Sequence, residues 1–371
     1  MILDFADKKK LVIKLGSSLL VSDGKLRKKW LQSLAENVSE LVKKEFQITI
    51  VSSGAIAVGR SILKLGNRKL ALEEKQAAAA VGQIQLMSVY RDFFKKHNLH
   101  VAQILLTAAD CNSRTRYLNS KNTIDTLLTN HIIPIINEND SIAVNEIKIG
   151  DNDRLAARVA QMIDADAMIL FSDIDGLYNQ NPKTNRNAKL IPKISTITKE
   201  IEGMAGGAVS EVGTGGMITK IMAAKMLSRS KCKTIITNGL ENNSLKNFIE
   251  GRQKFTLFLG NAQTTKSRDK WLSGFLSTKG TAIVNKCAVD ALRSKKVSLL
   301  PVGVVAIKGE FHKGDAIFIR DEKGNHIASG LSNFDSSDVK KILGKQSSEV
   351  RKILGKSVKT ELVHIDNLVV V

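Results

Sequence analysis

Three cysteines in 371 residues leave little from which to build a covalent framework. Cys111, Cys232 and Cys287 form no C-x-x-C pair and have no metal-ligand spacing. That argues against a disulfide scaffold and suits a reducing cytoplasm. Long apolar runs are missing too. No stretch approaches the roughly 18 residues that a membrane span requires. The opening MILDFADKKKLVIKLG has no apolar segment followed by a cleavage site, so no signal peptide is expected. Histidine chemistry lacks its patterns: six histidines give no H-E-x-x-H and no pairing with cysteine. His97, His100 and His131 are expected at the surface or at loop edges. The common nucleotide and cation motifs fail on spacing. Gly355-Lys356-Ser357 has Val350 where a P-loop needs its first glycine. In GTGGMI, Ile218 takes the place of the third Rossmann glycine. Asp151-Asn152-Asp153 lacks the glycine and terminal glutamate of an EF-hand, and there is no H-R-D or D-F-G.

What remains is ordinary globular material, 43% hydrophobic and 25% charged, and long enough for two or three domains. The formal charge is +20. Such an excess suits a nucleic-acid partner, an anionic substrate or a generally basic composition. Its distribution favours the last, because it forms no block: residues 280–371 carry a net +5 and residues 1–279 a net +15.

Apolar runs alternate with helical patterns over the first 240 or so residues. Strands are expected at Leu11–Leu15, Ile48–Val51, Val101–Leu106, Ile132–Ile136, Ala167–Phe171 and Thr234–Thr237. Each is rich in Ile, Val or Leu without polar alternation, as in a parallel sheet covered on both faces. Helices are expected near Lys28–Glu45, Glu73–Asn98, Thr115–Asn130, Arg154–Ile163 and Met217–Ser230. The alternation predicts an α/β, three-layer αβα sandwich with a mainly parallel sheet over residues 1–262. The polar stretch 263–279 reads as a linker. Residues 280–371 read as a small, mostly β domain, with DEKGNH as a hairpin turn. The near-repeat KILGK and RKILGK near its end suggests two short helical turns. The run Gln76–Gly82 suggests close helix packing, either against the sheet or at a subunit contact.

In open α/β sheets, ligands gather at the carboxyl ends of the strands. There the sequence places Lys14-Leu15-Gly16-Ser17-Ser18, then Ser52-Ser53-Gly54-Ala55-Ile56-Ala57-Val58-Gly59, then Asn137-Glu138-Asn139-Asp140. Gly150-Asp151-Asn152-Asp153 opens a helix, with Asp151 as its expected N-cap. Ser172-Asp173 and Asp175-Gly176-Leu177-Tyr178 follow the fifth strand. Gly213-Thr214-Gly215-Gly216-Met217-Ile218-Thr219-Lys220 opens the last helix and suits a polyphosphate. A lysine leaving a buried strand can reach a phosphate, and small residues let backbone N–H groups approach an anion. Taken singly, each has a bland reading: a turn, a solvated lysine, a solvent-facing acidic loop. Recurrence at successive strand ends is what points to a charged small molecule. The densest part, Ile136–Ala157, holds five carboxylates and four asparagines.

VIKLGSS, VSSGAIAVG, INENDSIAVNEIKIGDNDRLAA, FSDIDGLY and GTGGMITK, in this order, resemble the glutamate 5-kinases of the amino-acid kinase superfamily. The tail is similar to a PUA domain, and the resemblance covers almost the whole chain. It implies ATP-dependent phosphorylation of the γ-carboxylate of L-glutamate, the first step of proline biosynthesis, in the cytoplasm. It implies that Lys14 and Lys220 contact the transferring phosphoryl group and that Asp153 orients them. Ser53 with Gly54, Asp140 and Asn152 match glutamate-binding positions, and Asn137 lies beside them. Lys14, Ser172, Asp173, Thr214, Gly215, Gly216, Met217 and Lys220 match ATP-binding positions. Mg²⁺ is expected with ATP, held mainly by phosphates and water rather than by protein ligands. A homodimer or homotetramer and feedback inhibition by proline are implied as well. Ser17 and Ser52 stand where threonine is common in the family.

The chemistry agrees independently. A glutamate side chain has an unperturbed pKa near 4.3 and is already an anionic nucleophile at neutral pH. It needs relief from repulsion by the γ-phosphate, not a base. The α-ammonium of an amino acid calls for a carboxylate, here Asp140. Two readings compete: a kinase for aspartate, N-acetylglutamate, carbamate or UMP on the same fold, and an RNA-binding module argued from the tail and the charge. The second needs concentrated basic residues and stacking aromatics. The tail offers Phe275, Phe311, Phe318 and Phe334 but no tyrosine or tryptophan after Trp271.

Overall fold

The computed structural model describes residues 9–22, 24–66, 68–112, 114–142, 152–182, 184–205, 216–228, 230–260, 279–294, 297–355 and 360–370. Apart from the short stretch Asn112–Thr115, the chain up to Thr264 forms one compact unit and the chain from Thr265 a second. The expected linker lies, but for Lys279, outside the described residues.

The first unit runs β1 (Lys10–Leu15), α1 (Ser17–Leu20), β2 (Val21–Ser22), β3 (Lys25–Leu26), α2 (Lys28–Lys43), β4 (Gln47–Val51), α3 (Ala55–Ile62), α4 (Leu72–Lys95), β5 (His100–Leu106), α5 (Ala108–Asn112), α6 (Arg114–Thr129) and β6 (Ile132–Glu138). It continues with α7 (Asn152–Met162), β7 (Ala167–Ser172), β8 (Lys193–Ile194), α8 (Lys199–Gly203), α9 (Met217–Leu227), β9 (Lys233–Asn238), α10 (Ser244–Ile249) and β10 (Phe255–Phe258). Eight strands form one sheet in the order β5-β6-β4-β1-β7-β9-β10-β8. Only the β9–β10 pairing is antiparallel.

The alternation of side chains along a strand sorts the layers. Leu11, Ile13 and Leu15 of β1 join one core with Trp30, Leu34 and Val38 of α2, Leu86, Tyr90 and Phe94 of α4 and Phe248 of α10. The even-numbered residues face the other way. Lys10 reaches Asp125 of α6 at 3.0 Å and the carbonyl of Ile163 at 3.1 Å. Lys14 points into that same opposite layer, toward α7. One strand thus contributes apolar side chains to one face and a cation to the other.

Two expectations shift. Ala55–Gly59, expected as part of the small-residue segment Ser52–Gly59 after the second strand, belong to helix α3, whose N-cap Gly54 has φ 92°. The Gln76–Gly82 run does pack closely, but against α3. A Cβ on Gly59 would sit 1.8 Å from the carbonyl oxygen of Ala78, and one on Gly82 would sit 1.9 Å from that of Ala55. The helices meet main chain to main chain.

The second unit holds β11 (Gly280–Val284), α11 (Lys286–Ser294), β12 (Val304–Lys308), β13 (Ala316–Asp321), β14 (His326–Leu331), α12 (Ser336–Ile342), α13 (Ser347–Leu354) and β15 (Leu368–Val370). Its sheet order is β12-β11-β13-β14-β15. The expected hairpin joins β13 to β14. The KILGK repeats end α12 and α13, whose Val339, Ile342 and Val350 enter a core of their own with Ile317, Ile319 and Phe311.

Alanine at Gly59 or Gly82 is expected to destabilise the protein by about 3 kcal/mol, at the upper end of overpacking costs. Gly203→Ala, where an added Cβ meets nothing within 4 Å, is the control and should change stability by less than about 0.5 kcal/mol. Urea unfolding midpoints decide; equal midpoints for all three variants would contradict the main-chain contact.

Candidate functional site

Lys14 is the next-to-last residue of β1, Asp153 lies in the first turn of α7 and Lys220 in the first turn of α9. These three segments are remote in sequence and meet at the centre of the sheet. The Lys14 ammonium lies 2.5 Å from Asp153 Oδ1, and that of Lys220 3.1 Å from Oδ2. Thr219 donates to Oδ2 at 2.9 Å. Asp153 is fully buried, and the lysines are only 6% and 4% exposed. Burial by itself would push the Asp153 carboxyl up. The charges of Lys14 and Lys220 and hydrogen bonds from Lys14 and Thr219 outweigh it, and the group is held below the usual carboxylate range. Two ammonium groups share one carboxylate, so this centre favours a further anion. The first turns of α7 and α9, which carry unsatisfied N–H groups, add to that preference.

Beside it lies a polar network built on the ends of β4 and β6. Asn137 and Glu138, expected in a loop, are the last residues of β6, paired with Leu105 and Leu106 of β5. Asn152 Nδ2 lies 2.9 Å from the carbonyl of Ser52, 2.8 Å from Ser53 Oγ and 3.1 Å from Asn137 Oδ1. Asn137 Nδ2 donates to Gln83 Oε1 at 2.8 Å, and Asn137 Oδ1 accepts from the Glu138 N–H at 2.9 Å. Ser52 Oγ is 3.0 Å from the buried Tyr90 hydroxyl. Asp140 follows β6 and, with Gln83, Glu138 and Ala55, lines a pocket of about 220 Å³. Burial pushes its carboxyl up to about 6.

At the end of β7, Ser172 is the last strand residue, and its hydroxyl donates to Asp173 at 3.0 Å. Gly216 caps α9 at Met217, and a Cβ there would meet nothing within 4 Å. Thr214 and Gly215 lie outside the described residues, as do Gly150 and the expected N-cap Asp151. Among the described residues no group of three or more His, Cys, Asp or Glu stands together to hold a metal ion. No described helix is long and apolar enough to cross a membrane.

Two residues of this site, Gln83 and Tyr90, are not among the candidates that the sequence motifs supply. A signal for Gln83 exists. It shares the buried face of α4 with Ala79, Leu86 and Tyr90 at helical spacing, and an uncharged polar residue on such a face needs a partner.

The sequence model of the Amino acid kinase family matches residues 9–238, and that of the PUA domain matches residues 280–354. A protein named glutamate 5-kinase from Pelagibacter ubique (strain HTCC1062) is 48% identical over 364 residues, covering 98% of each chain. One of the same name from Rhodopseudomonas palustris (strain BisB5) is 47% identical, covering 98% of this chain and 97% of its own. Among solved structures, UMP kinase from Ureaplasma parvum covers 68% of this chain at 15% identity and a TM-score of 0.47, and all of its own chain is aligned. The chain belongs to the amino acid kinase family and carries a PUA domain.

Asp153→Asn would leave two buried ammonium groups without their counter-ion. The expected loss is about 3–5 kcal/mol at neutral pH. The folded-state carboxyl is depressed, so its contribution is complete above the unfolded value of about 4 and is lost as pH falls through the folded one. Urea unfolding at pH 7 is the check. A variant as stable as the wild type would contradict the charge arrangement.

Proposed function

We propose that this member of the amino acid kinase family transfers the γ-phosphoryl group of ATP to the γ-carboxylate of L-glutamate, giving L-glutamyl 5-phosphate, the first step of proline biosynthesis. The observation that carries this reading is the buried Lys14–Asp153–Lys220 cluster beside the Asn152–Ser53–Asn137 network and Asp140. Relatives named glutamate 5-kinase, similar over nearly the full chain, support the choice of substrate.

A lone pair on a glutamate carboxylate oxygen forms the new P–O bond. The bond from the γ-phosphorus to the bridging oxygen breaks, and its electrons leave on ADP. No proton moves, so no general base is required. The barrier is electrostatic: an anion must approach a polyanion. Lys14 and Lys220, both nearly buried, offset the charge on the transferring group, and fixed ammoniums act strongly where little water screens them. Asp153 holds both in place, and its carboxylate is not the nucleophile. Ser172, Asp173, Gly216 and Met217, with Thr214 and Gly215, form the nucleotide side. Ser53, Gly54, Asn137, Asn152 and Asp140 form the amino-acid side, with Asp140 receiving the α-ammonium. The one carboxylate at the centre is already shared by two lysines. That donor set fits Mg²⁺ arriving on the phosphates and water, where it supplies further charge neutralisation when bound. The reading extends to a cytoplasmic homo-oligomer, dimer or tetramer, with proline as a feedback inhibitor near the glutamate pocket.

The test is ATP- and Mg²⁺-dependent hydroxamate formation from L-glutamate and hydroxylamine, with L-aspartate and N-acetylglutamate alongside. Signal with glutamate alone, lost in folded Lys220→Ala, is expected. Signal with another acid and none with glutamate would move the substrate. Asp140 must be ionised to bind an ammonium. Hence kcat/KM for glutamate should fall about tenfold per pH unit below about 6. Asp140→Asn should remove that limb and raise KM for glutamate far more than KM for ATP; equal rises in both would overturn its assignment.

A further inference from the structure

We infer that Gln83 is a substrate-contacting residue whose side-chain N–H donates to the α-carboxylate of the amino acid, and that it sets the preference for an α-amino acid over an amino acid that lacks the α-carboxylate. The inference rests on the proposed function and adds a residue to it.

Side-chain amides have two similar ends, but here the direction of each is fixed by main-chain groups. The Glu138 N–H can only donate, and it lies 2.9 Å from Asn137 Oδ1. The other end of Asn137 is therefore its NH₂ group, which donates to Gln83 at 2.8 Å. The atom receiving that bond is Gln83 Oε1, which leaves Nε2 as the remaining end. Gln83 is 8% exposed, and its Nε2 is buried with no hydrogen-bond partner among the described residues. The same logic applies to Asn152. The Ser52 carbonyl can only accept, at 2.9 Å from Nδ2, so Asn152 Oδ1 is the free end and is also buried and unpartnered. The network thus ends in one unmet donor and one unmet acceptor, where buried polar groups are normally paired.

Gln83 lines the same pocket as Asp140. A ligand that satisfies the free donor brings an acceptor, and one that suits Asp140 brings a cation. An α-amino acid carries both on one carbon, with its carboxylate for Gln83 and its ammonium for Asp140. A neutral amide suits this role because it donates to the carboxylate without placing a cation beside the substrate's ammonium. Gln83 also follows Gly82, whose close approach to the main chain of Ala55 and Gly59 fixes how near α4 lies to α3.

The experiment compares L-glutamate with 4-aminobutanoate, which has the same chain, ammonium and far carboxylate but lacks the α-carboxylate. Hydroxamate kinetics are run on wild type, Gln83→Met and Gln83→Glu, each first shown to melt cooperatively. Competition against glutamate gives the affinity of 4-aminobutanoate where its turnover is slow. Gln83→Met, which removes the donor at similar volume, should raise KM for glutamate at least tenfold. The discrimination between glutamate and 4-aminobutanoate should fall by the same factor. Gln83→Glu keeps an oxygen for Asn137 and sets a carboxylate against that of the substrate, so its KM should rise further. Equal losses on both substrates would make Gln83 a structural support and overturn the inference, as would an unshifted KM for glutamate. If the wild type makes no glutamate hydroxamate, the proposed function fails along with it. Wild-type activity with unchanged discrimination in the variants overturns only the role of Gln83.

Discussion

A carboxylate with no exposure to water, gripped by two lysines, is the constraint on which the catalytic half of this molecule depends. An isolated charge in that position would be costly. Asp153 is tolerable there because Lys14 and Lys220 arrive from separate strand and helix ends. The central place of β1, between β4 and β7, brings these ends together. Lys14 points to the correct layer because it alternates with Ile13 and Leu15, apolar neighbours that belong to the opposite core. The strand periodicity and the charge cluster are two aspects of one arrangement.

The side proposed for the amino acid is held differently. It has few charges and many amides, whose directions are set by main-chain donors and acceptors at the ends of β4 and β6. Charges act at a distance, and amides act only at contact. A phosphoryl group in motion suits the first kind of site, and discrimination among small zwitterions suits the second.

The layered architecture was legible because buried parallel strands are continuous apolar runs, and all six expected strands lie within those of the sheet. The short antiparallel β10 and the β2–β3 hairpin were not, since two to four residues give no measurable period. Helix α3 was hidden because glycine, alanine and serine signal flexibility in a sequence, whereas here they signal contact: Gly59 is small so that α4 can approach. Lys14, Asp153 and Lys220 stood out through their places after strands and at helix starts, and they are brought together in space. Gln83 did not stand out, because a single polar residue within a helix looks like solvent-facing surface until the helical phase places it on the buried side. Thr214 and Gly215 lie outside the described residues.

The glycine contact between α3 and α4 also bears on how this sequence can change. Each glycine seats against the main chain of the other helix, so no partner side chain exists that could shrink to make room. A wall built this way has no intermediate sizes to pass through. Inherited variation in the pocket must therefore fall on its lining positions, such as Ala80 and Ile84, while the spacing between the helices stays fixed. The contact divides the wall into a part closed to drift and a part open to tuning.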